Sequence, residues 1–202
     1  SSLSISDCVI SGNKAFSIGG GLYIYGISSP QLTNCTITGN TASFGGGLRV
    51  DISSPTLTNC TISENKATNS GGGVYLRQGA TSTLINCIFY QNTKWGVYEY
   101  DTDSDATVLH CLFNSNPNGD FFDYGTGSLT GATSINAVTG ASGNVDGDPL
   151  FMTGLNGHWN DYTSNLWGTN RTYITTTFTD TTASFVPGAL VGKITIVLNS
   201  FL

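Results

Sequence analysis

Charge is what this sequence has least of. Of 202 residues, 7 are Lys or Arg and 13 are Asp or Glu, whereas about a quarter of a typical globular chain is charged. A net charge of −6 with so few, scattered cations excludes a nucleic-acid partner, whose recognition needs a concentrated basic surface. No apolar run reaches the roughly eighteen residues of a transmembrane segment, and the start, SSLSISDCVI, has neither the basic nor the apolar stretch of a secretory leader. No repeat unit holds a run of helical periodicity, which excludes leucine-rich, ankyrin and TPR arrays. Disorder is excluded by what is present, since 3 Trp, 9 Tyr and 10 Phe stand in a chain that is 39% hydrophobic. Solubility must come from 22 Ser, 28 Thr and 18 Asn, beside 26 Gly.

Self-comparison reveals the organisation. Cysteines stand at 8, 35, 60, 87 and 111, and five residues after each comes an asparagine: Asn13, Asn40, Asn65, Asn92 and Asn116. Each unit of about 25 residues carries three short β-like runs separated by Asn and Gly turns. Three strands per unit predict an all-β parallel β-helix solenoid, in which equivalent side chains of neighbouring coils lie ~4.8 Å apart. The Asn column is expected to hydrogen-bond along the stack at one corner, with the asparagine itself tolerating left-handed backbone. Glycines 19–21, 45–47 and 71–73 mark a second corner, where positive φ or close backbone approach costs least.

The chain resembles the right-handed parallel β-helix superfamily that includes pectate lyases and many surface proteins. Its Phe89-Tyr-Gln-Asn92, Phe113-Asn-Ser-Asn116 and Gly-Gly-Gly-Leu/Val segments are similar to the repeats of polymorphic outer-membrane autotransporter proteins, with Ile10, Ile37 and Ile62 where those repeats prefer Phe. The segment Asn144-Val-Asp-Gly-Asp-Pro-Leu-Phe151 is similar to a stretch that often follows the last regular coils of such proteins. The resemblance implies a right-handed solenoid and a secreted or cell-surface location. A lyase of this superfamily would also present a Lys or Arg base beside a calcium-bound acidic cluster; Arg77 is the nearby cation.

One domain is expected over residues 1–202, with regular coils over 1–125, irregular coils and loops over 126–170, and terminal strands over 171–202. Division of 202 residues by 25 gives seven or eight coils. YITTTFT, ASFV, ALVG and KITIVL would add one or two of them, and Asp146, Asp148, Trp159, Asp161 and Trp167 would make local contacts in the irregular part. Both ends read as cuts through a longer protein, so contact with missing coils or with another chain is expected there, the final apolar strand being an exposed edge. The cysteines read as an inward ladder of small buried hydrophobes, because stacked parallel positions suit disulfide geometry poorly and no zinc spacing is present. His110 and His158 have no partner pattern. Asn34-Cys-Thr and Asn59-Cys-Thr match the glycosylation sequon.

Chemistry concentrates in the strand after the Gly corner. Alternation turns Leu22, Ile24, Leu48, Val50, Val74, Leu76 and Val97 inward. It leaves two outward columns, Tyr23/Arg49/Tyr75/Tyr98/Phe122 and Tyr25/Asp51/Arg77/Tyr100/Tyr124. Flat rings beside hydrogen-bonding groups suit a glycan or polysaccharide laid along the column; plain cross-strand stacking, worth about 0.2–1 kcal/mol per pair, is the other reading. Glu99 and Asp123 occupy the inward phase one coil apart. Their proximity would raise one pKa and supply an acid and a base for glycosidic cleavage; with Asp101, Asp103 and Asp105 they could instead bind Ca²⁺, and a bulge turning both to solvent is equally simple. No other cofactor is expected. A recognition or scaffold module is preferred, with a polysaccharide lyase or glycoside hydrolase as the alternative.

Overall fold

The computed structural model describes residues 3–26, 29–149, 171–174 and 177–180. The chain divides into two compact units, Ser1–Pro149 and Leu150–Leu202.

The first unit is a parallel β-helix, as the repeat predicts. Its first sheet stacks Ser4–Ser6, Gln31–Thr33, Thr56–Thr58, Thr83–Ile85, Thr107–Leu109 and Ala141–Ser142, all in parallel. The second stacks Val9–Ser11, Thr36–Thr38, Thr61–Ser63, Ile88–Tyr90, Leu112–Asn114 and Val145–Asp146. The third stacks Leu22–Tyr25, Leu48–Asp51, Val74–Arg77, Trp95–Glu99 and Gly119–Asp123, and Gly127–Leu129 then closes it antiparallel. The first two sheets therefore continue to Asp146, beyond the expected end of the regular coils near 125, after a single helical turn at Ala132–Ile135.

Two columns of left-handed residues flank the Cys-to-Asn segment of each coil. One precedes every cysteine: Asp7, Asn34, Asn59, Asn86 and His110 have φ between 52° and 55°. The other precedes every ladder asparagine: Gly12, Gly39, Glu64, Gln91 and Ser115 have φ between 51° and 67°. This corrects the expectation that the asparagine itself takes the left-handed conformation. The preceding residue makes the bend, and the asparagine is left free to use its side chain.

That side chain is fully employed. The Oδ1 of Asn40 accepts both the backbone N–H (2.9 Å) and the Nδ2 (3.1 Å) of Asn13, while its own Nδ2 donates to the Ile10 carbonyl (2.8 Å) and to Asn65 Oδ1 (3.1 Å). Asn65 and Asn92 repeat the pattern. All four amide hydrogen-bonding positions are filled, so Asn40, Asn65 and Asn92 are completely buried without an orphaned group. The ladder ends on a carboxylate: Asn116 Nδ2 donates to Asp120 Oδ1 (2.9 Å), and Asp120 Oδ2 accepts the Gly131 N–H (2.9 Å). An acceptor-only group suits the end of a chain that passes donors forward.

The glycine corner uses both properties expected of it. Gly19, Gly45 and Gly71 have φ of 58°, 65° and 63°. A Cβ on Gly47 would lie 2.8 Å from the Gly73 carbonyl oxygen and 2.9 Å from Asn65 Nδ2, so this corner and the ladder leave each other no spare room. Inside the coils, Leu48, Val50, Val74, Leu76 and Val97 are fully buried, and Leu22 and Ile24 of the first coil partly so. Cys35, Cys60, Cys87 and Cys111 are buried free thiols, as the inward ladder predicts, and Phe89 stacks on Phe113 at 4.9 Å.

Asn144 takes the cysteine position of the sixth coil, its Oδ1 accepting the Cys111 N–H and its Nδ2 donating to the Val108 carbonyl. Gly143 supplies the left-handed residue before it, with φ 67°. His110 is exposed.

In the second unit, Arg171–Ile174 and Thr177–Asp180 pair antiparallel with each other. YITTTFT, read as strand sequence that would add to the stack, falls on these two strands, whose pairing is antiparallel, whereas the coil junctions of the described residues are parallel. His158, Trp159, Asp161, Trp167, ASFV, ALVG and KITIVL lie outside the described residues. Among the described residues no helix is long and apolar enough to cross a membrane.

Candidate functional site

The outer face of the third sheet gathers the residues that alternation places there. Tyr23 pairs with Arg49, Arg49 with Tyr75, Tyr75 with Tyr98 and Tyr98 with Phe122; in the second column Tyr25 pairs with Asp51 and Asp51 with Arg77.

The first column is largely self-covering. Tyr75 stacks on Tyr98 (5.5 Å, 9°) and Tyr98 on Phe122 (4.6 Å, 17°), so the faces of these rings are turned on one another along the solenoid axis. Trp95 packs against Tyr98 and meets Phe122 edge-on, with its indole N–H donating to Ser128 Oγ; Phe44 meets Tyr75 edge-on. Arg49 lies between rings, 5.1 Å from the Tyr75 centroid and 6.0 Å from those of Tyr23 and Phe44, while its Nε and Nη2 donate to the carboxylate of Asp51. The Tyr23 hydroxyl donates to the same carboxylate at 3.0 Å. Outward phase therefore does not mean exposure: Arg49, Asp51 and Tyr75 are 5%, 3% and 2% exposed. Burial pushes the Tyr75 hydroxyl above its usual range, against the pull of Arg49 and Arg77. For Tyr23, burial and the hydrogen bond to Asp51 also act upward.

The solvent-facing rings lie toward the two ends of the face. Tyr23, Tyr25, Tyr100 and Tyr124 are each between 43% and 63% exposed. Tyr23 and Tyr25 lean on each other at 5.9 Å, and Arg77 sits 5.0 Å over the Tyr100 ring.

Glu99 and Asp123 have different hydrogen-bond partners. Glu99 takes the inward phase, opposite Leu76, and is 3% exposed. Its Oε1 accepts the Ala106 N–H (2.7 Å) and its Oε2 the Tyr124 N–H (3.3 Å), tying two segments to one carboxylate. Burial raises its pKa to about 7; the two N–H groups oppose the shift, and Asp123 and Asp105 add to it. Asp123 sits at the turn into Gly127–Leu129, where its Oδ1 accepts the Thr126 N–H at 2.6 Å.

The three aspartates proposed as calcium ligands do not converge. Asp101 accepts the Gln78 N–H (2.8 Å) and the Ser104 hydroxyl (2.6 Å). Its partial burial acts upward, but these bonds outweigh it and hold the carboxyl below the usual range. Asp103 and Asp105 are exposed. Among the described residues no three His, Cys, Asp or Glu side chains are grouped to hold a metal ion.

Phe44, Trp95 and Asp120 were not legible as partners of this face or of the ladder. Phe44 and Trp95 precede the two columns in their coils, and only the course of the chain around the glycine corner lays them against the rings. Asp120 carried a usable signal, a carboxylate four residues after the last ladder asparagine.

A stack of coils with three parallel sheets, left-handed corner residues and columns of recurring side chains defines a parallel β-helix solenoid. The chain belongs to the right-handed β-helix family: the model of the right-handed β-helix region matches residues 1–146. No curated protein matches the chain, and no solved structure does.

Proposed function

We propose that the chain is a recognition or scaffold module of a secreted or cell-surface β-helix protein, and that its ligand is a carbohydrate polymer held along the third sheet. The observation that carries this reading is the distribution of exposed rings: Tyr23 and Tyr25 in the first coil, Tyr100 in the fourth and Tyr124 in the fifth. Four coil steps separate the ends, ~19 Å at a spacing of ~4.8 Å, a span that suits an extended chain better than a single sugar. Between them Arg49 and Asp51 neutralise each other, and Arg77 beside Tyr100 remains a hydrogen-bond donor to hydroxyls. Faces of Tyr75, Tyr98 and Phe122 are spent on one another, so the ring faces available to sugars belong to the exposed tyrosines.

The specific observation favouring a lyase or hydrolase is Glu99, whose pKa near 7 is suited to an acid or base. Against it stand the burial of that side chain and the use of both its oxygens by backbone N–H groups.

A glycan and polysaccharide array, run with and without calcium and followed by analysis for unsaturated or reducing-end products, separates the two readings. Binding without products, weakened by Tyr25→Ala, Tyr100→Ala and Tyr124→Ala, is expected. Products that vanish with Glu99→Gln would replace recognition by catalysis, and absence of any binding would leave a scaffold.

A further inference from the structure

One junction of the third sheet is closed by a side chain where its predecessor is closed by backbone. The Tyr100 N–H donates to the Leu76 carbonyl of the preceding coil at 3.0 Å. One coil on, the equivalent Tyr124 N–H donates instead to Glu99 Oε2 at 3.3 Å, and Glu99 Oε1 takes the Ala106 N–H at 2.7 Å. Ile24, Val50 and Leu76 hold the position of Glu99 in the earlier coils. A titratable group therefore stands in place of an apolar one where segment 100–105 leaves the third sheet, and it grips the chain again just ahead of Thr107–Leu109 in the first.

The surroundings favour the neutral carboxyl. Glu99 is 3% exposed, and among the described residues no cation pairs with it. Asp123, at the end of the next strand, and Asp105, in the segment Glu99 holds, both oppose its ionisation. On the other side Leu76 is apolar, and the Arg77 guanidinium lies over the Tyr100 ring. Asp101 spends its carboxylate on Gln78 and Ser104, and Asp103 is exposed.

A neutral carboxyl also has a proton to place. Ser82 lies one coil before Ala106 in the same inward column, its carbonyl accepting the Thr107 N–H at 2.9 Å. Its hydroxyl is buried and has no partner among the described residues, so its lone pairs are free to accept.

We propose that Glu99 is a proton-dependent latch. Neutral, with its proton donated to Ser82 Oγ, it holds Ala106 and Tyr124; ionised, it releases segment 100–106 and the end of the fifth strand. The latch sets the placement of two exposed rings one coil apart, Tyr100 and Tyr124. It uses no ligand, and only its consequence for binding rests on the carbohydrate reading.

The closed state binds the proton more tightly than the open one, so closure is complete at low pH and is lost as pH rises through about 7. With an ordinary value of 4.5 in the open segment, opening should increase on the order of fiftyfold between pH 5 and 8. Amide hydrogen exchange of the unaltered chain, corrected for its intrinsic pH dependence, reads this opening. Protection of the Ala106 and Tyr124 amides should fall together by that factor, and at each pH should stay below that of Leu57 and Leu84 in the first sheet. Glu99→Gln, which cannot ionise, should leave both amides level across the range. Ser82→Ala should move the Glu99 titration, followed by NMR, down by about half a unit or more.

Protection of the two amides that is the same at pH 5 and 8 would overturn the proposal. So would protection equal to that of Leu57 and Leu84, because the segment would then open only when the solenoid unfolds, and so would a Glu99 titration that Ser82→Ala leaves in place. None of these measurements involves a polysaccharide, so the latch and the carbohydrate reading fail separately.

Discussion

The asparagine column and the outer columns of the third sheet are both vertical stacks of side chains, yet they have opposite character. In the first, the same residue recurs, is buried, and meets all its hydrogen-bonding needs in neighbouring coils. In the second, Tyr gives way to Arg, Arg to Tyr and Tyr to Phe, and exposure runs from 2% at Tyr75 to 63% at Tyr25. Identity within a column marks the requirement of stacking. Variation marks positions the stack leaves open to other uses, and the buried Arg49–Asp51 pair shows that some of this freedom is consumed in holding the face itself.

The hardest test of the contrast is removal of one rung. Asn65→Ala strips the acceptor from two donors of Asn40, the donor from the Ile37 carbonyl, and one of two donors from Asn92 Oδ1. With each buried orphan costing about 1–3 kcal/mol, a loss of about 3–5 kcal/mol in urea unfolding is expected. Asn13→Ala, at the open end, should cost under about 1 kcal/mol because water reaches its surroundings. Equal losses at the two sites would end the argument that burial within the ladder sets the cost.

Next in size is Arg49→Met. It leaves the Asp51 carboxylate buried without its cation, the Tyr23 hydroxyl still donating to it, and breaking one side of such a pair costs about 3 kcal/mol or more. The double variant Arg49→Met with Asp51→Leu should recover most of the loss, as apolar replacements of buried pairs do. Failure of that recovery would show that the pair has a further partner on this face.

The sign of the pH response follows from Glu99. Its folded pKa of about 7 lies above the ordinary 4.5, so the folded state holds the proton more tightly than the unfolded chain. The stability it contributes is present in full below about pH 4.5 and is lost as pH rises through about 7, by roughly 2–3 kcal/mol. Denaturation midpoints at pH 4.5, 6 and 8 should fall in that order, and Glu99→Gln should flatten the trend. A midpoint that rises over this interval would place the carboxylate in a solvated or cation-paired setting.

The same physics explains what could be read in advance. The Cys–Asn spacing, the glycine corner and the inward Leu/Val phase were legible because each recurs, and recurrence exposes three-dimensional neighbours as sequence neighbours 24 to 27 residues apart. The seat of the left-handed bend is not legible because its five positions, Gly12, Gly39, Glu64, Gln91 and Ser115, hold four different residue types, so no column is visible. Phase correctly placed the third-sheet columns outside, but burial there depends on Phe44 and Trp95, which reach the face from beyond the strand or from its first residue. The sixth coil was hidden because Asn144 replaces cysteine at a longer interval from Cys111 than any earlier coil uses.

The smallest expected effect on stability is the most informative about use. Tyr25→Ser and Tyr124→Ser remove rings that are 63% and 49% exposed, and surface changes of this kind stay within about 0.5 kcal/mol. Tyr98→Ser, by contrast, breaks the stack between Tyr75 and Phe122 and the contact with Trp95, so it should cost about 2–4 kcal/mol. If the exposed tyrosines serve a polymer, the first two variants leave the unfolding curve where it was and weaken retention on the polysaccharide that binds the parent chain. If they serve the stack, retention and stability fall together, and the variable columns become a second structural ladder written in rings instead of amides.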